Sequence, residues 1–479
     1  MTLQKESNIA RLIILLILIF SLTYTSTISG SIYFIEIQAQ KQSLQRQQQQ
    51  QQQPLFLPTL LSSNLLSKAS PPPASSKGKT PVIVDSSLKV DLVSRGFHYP
   101  SNMAFLAAND ILVLEKTTGK VIRIVNGTVI KDPLLDVNVS VNDERGMLGI
   151  AISQKYEHKP RYVFLYYTVA STKDGDDSTE GKPPLGNRLY RYELVNNKLV
   201  NAKLLLDLPA TPGPHHNGGN IRIGPDQNLY VVIGDLEGHL TESQNIKNGP
   251  PPDRTSGILR ITQDGKPVGN GILGNTFPLN LYYAYGIRNS FGMDFDPVTG
   301  KLWDTENGPG FGDEINLVEP GFNSGWRIVQ GMWKVESYFG GSIASPSPNN
   351  LIDFNGKGKY STPEFTWNQT VGPTALKFLT SDKLGKQYEN DIFVSDINNG
   401  NIYHFQLNKT RTGFILNGLL TDKVANTIAE RNTAVFATGF AGISDLEVGP
   451  DGYLYLLTFH KSDGAIYRII PVSLQDRNS

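Results

Sequence analysis

From about Val82 to Ile470 the chain alternates apolar and polar residues in short runs, each bounded by Gly, Asn or Asp. Runs of this length and period read as strands rather than helices. They come in pairs. Asn109-Asp-Ile-Leu-Val-Leu-Glu is followed by Gly119-Lys-Val-Ile-Arg-Ile, and Tyr162-Val-Phe-Leu-Tyr-Tyr by Asn187-Arg-Leu-Tyr-Arg-Tyr. The same unit returns with strands starting at Asn228 and Gly257, Gly300 and Asp313, Asn390 and Gly400, and Gly452 and Gly464. A lone hairpin leaves an apolar face bare, and radial packing of hairpin-based blades covers it. Six copies therefore predict an all-β, six-bladed β-propeller. A β-sandwich is the alternative, but it seldom repeats at such long intervals. Gly224-Pro225-Asp226 and Gly449-Pro450-Asp451 each precede a strand and read as tight turns.

The first 80 residues have a different pattern. Lys5 and Arg11 precede an uncharged stretch, Leu12–Ile35, that could span a bilayer as a hydrophobic helix. A cleaved signal peptide is the rival reading, but no clean cleavage site follows. Either way the positive flank puts the body outside the cytoplasm, membrane-anchored or secreted. The glutamine run Gln47–Gln53 and Pro71-Pro72-Pro73 read as a disordered tether. The expected organisation is a signal or anchor segment over 1–40, a linker over 41–81, the propeller over 82–471 and a short tail over 472–479.

Composition narrows the chemistry. Lys+Arg and Asp+Glu both number 44, so no excess positive charge points to nucleic acid as a partner. There is no cysteine, which excludes disulfides, thiolate metal sites and a cysteine nucleophile. N-x-S/T sequons at Asn126, Asn138, Asn368 and Asn408 permit glycosylation without proving it. Whether the chain forms a homodimer is left open.

Three stretches could do chemistry. Pro214-His215-His216-Asn217-Gly218-Gly219 offers a histidine base, with Asp235 at the end of the next strand able to orient it. Arg288 and Asn289, in Tyr285-Gly-Ile-Arg-Asn-Ser, could hold an anionic oxygen. Asp304-Thr-Glu-Asn-Gly-Pro-Gly-Phe-Gly-Asp-Glu mixes acids with a Gly/Pro turn, a combination that suits a hard cation. The bland readings are a solvated histidine, a structural arginine and an ordinary turn.

In this order, together with Gly96-Phe-His-Tyr-Pro-Ser-Asn, Arg145-Gly-Met-Leu-Gly and Gly449-Pro-Asp-Gly-Tyr-Leu-Tyr, these stretches resemble the glucose/sorbosone dehydrogenase family. It includes soluble aldose dehydrogenases dependent on pyrroloquinoline quinone (PQQ). The resemblance implies a six-bladed propeller that oxidises an aldose sugar at C1 to a lactone. It makes His216 the base, Asp235 its partner, and Arg288 and Asn289 the pair facing the quinone oxygens. Asn307 and Thr374 become cofactor contacts, and the carbonyls of Gly308 and Pro309 calcium ligands. The chain departs from the family where basic residues hold the carboxylates of PQQ. It has Asn398 in place of a lysine, and Gly442-Ile-Ser-Asp in place of an Arg-x-Arg-Asp run. Lys377 and Lys461 are the candidates to compensate. Against the dehydrogenase stands a non-catalytic propeller of the same fold that binds a glycan or protein at the cell surface. A third reading, a calcium-dependent lactone hydrolase, would need carboxylates converging on the central channel.

Overall fold

All six predicted strand pairs form antiparallel partners in the computed structural model, for example Asp110–Glu115 with Lys120–Val125 and Leu454–Thr458 with Gly464–Pro471. The structure describes residues 81–154, 160–337, 340–342 and 350–473. The expected anchor helix and tether lie outside the described residues. Among those described, no helix is long and apolar enough to cross a membrane.

The architecture is an all-β propeller, but its repeat is less regular than the sequence pattern. The described strands form seven sheets of unequal width, from three strands to six. Each predicted pair gains a strand on its N-terminal side: Pro100–Ala107, Met147–Ile152, Ile221–Ile223, Gly292–Phe295, Pro373–Phe378 and Ile443–Val448. The outer positions vary. Two short strands, Phe322–Asn323 and Lys359–Tyr360, add in parallel to the sheet built on Leu229–Ile233. A separate three-stranded sheet holds Val329–Gln330, Trp333–Ser337 and Gly340–Ser342. Leu88–Phe97, from the start of the body, pairs with Gly464–Pro471 at its end. The termini of the body thus close the last sheet, which leaves no sequence-local signal because the partners are far apart in the chain.

The core is divided among the gaps between neighbouring sheets. One cluster packs Leu114 and Val121 against Val163 and Leu165, and the next packs Phe164 and Tyr166 against Val231 and Ile233. The series continues until Tyr455, Leu457 and Ile466 of the last sheet meet Met103, Val113 and Ile124 of the first. Packing therefore closes on itself, as it must when each sheet has two apolar faces to bury. The predicted Gly-Pro-Asp turns form, and their acids accept hydrogen bonds from tyrosines: Tyr230 to Asp226 at 3.1 Å and Tyr455 to Asp451 at 2.7 Å.

Four of the N-terminal strands put charges in the interior. Arg222 Nη1 lies 2.9 Å from Glu447, Glu447 2.9 Å from Lys377, Lys377 3.4 Å from Asp294, and Asp294 3.9 Å from Arg222 Nε. Charges of alternating sign thus form a closed ring joining four sheets. Lys377 is engaged there, so it is not a spare cation for a cofactor carboxylate. Nor do the acids Asp294, Glu447 and neighbouring Asp445 form an acid-only constellation of the kind a lactone hydrolase would need, because Arg222 and Lys377 interleave with them.

Candidate functional site

The site begins at a backbone constraint. His216 has φ 62°, a left-handed conformation unusual for a residue with a side chain, and Gly218 and Gly219 continue the turn at φ 62° and 112°. This bend turns the His216 ring inward, where the residue is buried. Its Nδ1 lies 2.5 Å from Asp235 Oδ1. Asp235 sits just past Leu229–Ile233 and accepts further hydrogen bonds from Trp326 Nε1 at 2.7 Å and the Glu237 amide at 3.0 Å. Burial opposes ionisation of Asp235. The hydrogen bond and charge of His216, with Arg288 nearby, outweigh it and hold the carboxyl below its ordinary value.

Gly234 joins this pair to the next loop. A Cβ there would meet the Arg288 carbonyl at 2.4 Å and the His216 carbonyl at 2.5 Å. The Asp235 amide donates to the Arg288 carbonyl at 2.9 Å. Gly234→Ala should therefore push the His216 and Arg288 loops apart. It is expected to cost about 1–3 kcal/mol, read as a lowered midpoint in denaturant unfolding.

Arg288 lies over the Trp326 ring, 5.4 Å from its centroid, and Nη1 donates to the Asn307 carbonyl at 2.7 Å. The Asn307 amide in turn donates to the Asn289 carbonyl at 2.7 Å. His216, Asp235, Arg288, Asn289 and Asn307 are thus drawn together. Gly308 and Pro309 follow directly in the chain. The Gly308 amide donates to Asp313 Oδ1 at 2.8 Å, while Asp313 Oδ2 accepts from Val371 and Gly372. Asp313 therefore ties the Gly308 turn to the start of the Thr374 strand. The Thr374 hydroxyl itself donates to the Ile443 carbonyl at 2.6 Å.

The acids of this stretch do not behave as the loop reading expected. Asp304, Glu306, Asp313 and Glu314 are all buried within Leu302–Glu306 and Asp313–Val318. They belong to the strands, not to an outward-facing cation loop. Among the described residues no group of three or more His, Asp or Glu side chains is placed to hold a metal ion.

Burial pushes Asp304 up to about 7 and Asp313 to about 6. Burial likewise raises Glu314 to about 8, against hydrogen bonds from the Gly331 amide and Asn316, and lifts Glu306 well above its usual range with repulsion from Glu314 and Asp304 added. An acid raised on folding binds more protons folded than unfolded between its ordinary value, ~4, and its raised one. Its contribution to stability is therefore lost as pH rises through that window. Asp304→Asn should raise the melting temperature over wild type more at pH 8 than at pH 5.

Two groups at the site, Glu144 and Trp326, were not singled out from the sequence, and His215 was named there only as the neighbour of His216. Glu144 Oε2 accepts the His216 amide at 2.6 Å, and Asn289 Nδ2 lies 3.2 and 3.1 Å from the two Glu144 oxygens. Trp326 supports both Asp235 and Arg288. His215 is held between Asp143, 2.8 Å away, and Glu237. The Asp143 hydrogen bond outweighs burial and, with Glu237, raises its pKa to about 9. Glu144 sits beside the Arg145-Gly-Met-Leu-Gly stretch, the only sequence signal for it. Of the residues named for cofactor carboxylates, Asn398 and Lys461 are exposed, and the Ser444 hydroxyl donates to the Pro100 carbonyl.

A closed ring of sheets with a buried His–Asp pair and an adjacent arginine in its loops defines an all-β propeller with one candidate centre. The sequence profile described as Glucose / Sorbosone dehydrogenase matches residues 97–468, and the chain belongs to that family. Aldose sugar dehydrogenase of Escherichia coli is 25% identical over 393 residues, covering 81% of this chain and 94% of the relative. Quinoprotein glucose dehydrogenase B of Acinetobacter calcoaceticus is 30% identical over 266 residues, covering 51% of this chain and 53% of the relative. The fold matches PQQ-bound aldose sugar dehydrogenase from Streptomyces coelicolor at TM-score 0.57 and 21% identity, over 81% of this chain and 100% of that one.

Proposed function

We propose that the protein oxidises an aldose sugar at C1 to a lactone, with PQQ as cofactor and calcium beside it. The observation that carries this reading is the buried His216–Asp235 pair next to Arg288. The names of the Escherichia coli and Acinetobacter relatives support the same class of reaction. His216 Nδ1 is tied to a carboxylate, which leaves Nε2 as the nitrogen to receive the C1 hydroxyl proton. Asp235 fixes the ring and stabilises the imidazolium that results, and Trp326 in turn fixes Asp235. Arg288 offers its guanidinium to developing negative charge.

The residues suit the quinone end of PQQ. Arg288 would meet the quinone oxygens, the Gly308 and Pro309 carbonyls would hold calcium, and Asn307 and Thr374 would complete the contacts. The chemistry PQQ supplies when bound is acceptance of two electrons as hydride. Its carboxylates find no matching lysine or arginine at the positions of Asn398 and Ser444, and Lys377 is bound in the interior ring. That shortage favours, as second reading, a non-catalytic propeller that binds a glycan or protein. Calorimetric titration of the protein with PQQ and calcium separates the two. Saturable binding is expected, and no heat at high micromolar PQQ would favour the second reading.

Two coarser points belong to the same proposal. We count six blades, supported by the cycle of contacts among the six N-terminal strands of the large sheets. We place the body outside the cytoplasm, on the charge asymmetry around Leu12–Ile35. Digestion of the body by protease added to intact cells, or its recovery from the medium, would support that location.

A further inference from the structure

We infer that His215 is a positioning residue for His216: as an imidazolium it braces the two loops that hold the base, and on losing its proton it releases one of them. The inference rests on the reading of His216 as the base.

His216 is held at two points, one on each loop. Its main-chain N–H donates to Glu144 Oε2 at 2.6 Å, and its ring Nδ1 lies 2.5 Å from Asp235 Oδ1. The side chain of His215 reaches the same two loops one step outside those contacts. Its Nε2 lies 2.8 Å from Oδ2 of Asp143, the residue before Glu144. Its Nδ1 meets Oε2 of Glu237, whose amide donates to Asp235 Oδ1 at 3.0 Å. One imidazole therefore ties together the loop that holds the His216 backbone and the loop that orients its ring.

The partners dictate the protonation state. An ionised carboxylate only accepts, so two carboxylates on one imidazole need a donor at each ring nitrogen. Only the imidazolium has both. The Asp143 hydrogen bond outweighs burial, and with Glu237 and the charge of Glu144 it raises the pKa of His215 to about 9. The same hydrogen bond holds Asp143 below its ordinary value, with Lys116 and His216 adding to the effect. Lys116 Nζ donates to the Asp143 carbonyl at 2.6 Å, and the His216 ring centroid is 6.1 Å from that of His215. Asp235 lies beyond His216. Since the pKa is raised, the brace is complete below it and loses one arm as pH rises through about 9.

Both loops are in backbone conformations that need such a hold. Asp143 has φ 51°, Leu236 52° and Glu237 46°, all left-handed for residues with side chains. The Gly213 amide donates to the Leu236 carbonyl at 2.9 Å, and a Cβ on Gly213 would meet the Glu237 Cβ at 2.6 Å. Neutral His215 has one N–H for two carboxylates. The acid left without a donor repels the other, and its loop relaxes with the contact it gives His216 or Asp235. The His215 side chain is 24% exposed, so water can serve the freed carboxylate. Opening the brace therefore shifts loops rather than unfolding the body.

The test compares full-length wild type with His215→Ala, with His215→Arg, whose guanidinium keeps its charge and several donors at every working pH, and with Asp143→Asn. Hydrogen exchange at neutral pH, read by mass spectrometry, reports the main-chain amides of His216 and Glu237 without any cofactor. His215→Ala should lower their protection at least tenfold, and His215→Arg should keep it within threefold of wild type. If His215→Ala fails to fold, Asp143→Asn decides by the same loss of protection. Unchanged protection in the deciding variant overturns the inference. Turnover of an aldose with PQQ, calcium and a dye is then followed against pH. In wild type it should fall as pH passes about 9. The fall should move to higher pH in His215→Arg and to lower pH in Asp143→Asn. At neutral pH, kcat of His215→Ala should drop about tenfold or more, within what misplacing a reacting group costs, while PQQ affinity holds. An alkaline fall at the same pH in His215→Arg as in wild type overturns the proton-linked release. If no form turns over, the dehydrogenase reading fails on its own and hydrogen exchange alone decides the brace.

Discussion

Replacing His216 with alanine is expected to reduce PQQ-dependent dye reduction with aldoses by at least ~10²-fold, in the range that general-base catalysis supplies, while PQQ still binds. The base is lost, but the groups expected to hold the cofactor, Arg288 and the Gly308–Pro309 turn, are untouched. Asp235 keeps two of its three donors, Trp326 Nε1 and the Glu237 amide, so its buried charge is not abandoned. Asp235→Asn is the sharper companion. An amide at that position can present its oxygen or its nitrogen to His216 Nδ1, so it no longer selects one tautomer. Turnover should fall with little change in cofactor affinity, as expected for a group that acts through another. Steady-state rates with a dye acceptor, read beside calorimetric PQQ affinities, check both variants. Retained turnover in His216→Ala would remove histidine from the role of base.

The half of the candidate site around His216 and Arg288 was legible because its residues lie in short contiguous strings. His216 and Asp235 flank one predicted strand, and Arg288 and Asn289 are adjacent. The paired strands were legible for a similar reason, since a period of two and a Gly-rich turn are local signals. What escaped was non-local. Glu144 acts on residues far along the chain, and only folding brings it to His216. Leu88–Phe97 pairs with the far end of the body, so no hairpin signal marks it. The acids Asp304 and Glu306 read as loop ligands because acids beside a Gly/Pro turn suit cations. Both acids also fall inside the strand predicted from Gly300, and that strand, Leu302–Glu306, is buried along its length.

The interior ring had its own signature: Ile221-Arg222-Ile223, Met293-Asp294-Phe295, Leu376-Lys377-Phe378 and Leu446-Glu447-Val448. Each sets one charge between two apolar residues, and the signs alternate from strand to strand. A charge so placed is buried by its neighbours and must find a partner. Glu447 is the member on which the ring depends most, because it alone contacts both cations at 2.9 Å. Glu447→Ala would leave Arg222 with Asp294 at 3.9 Å and Lys377 with Asp294 at 3.4 Å, with the carboxyl of Asp445 as the next acid near both cations. Breaking a buried pair from one side typically costs about 3–5 kcal/mol, and that loss is expected in denaturant unfolding of Glu447→Ala. Replacing the ring as a whole should cost less. The quadruple variant Arg222→Met, Asp294→Leu, Lys377→Met, Glu447→Leu removes every partner at once and leaves none of the four charges stranded. Its stability should exceed that of Glu447→Ala, because the single variant's penalty comes from the charges it abandons rather than from the pairs it loses.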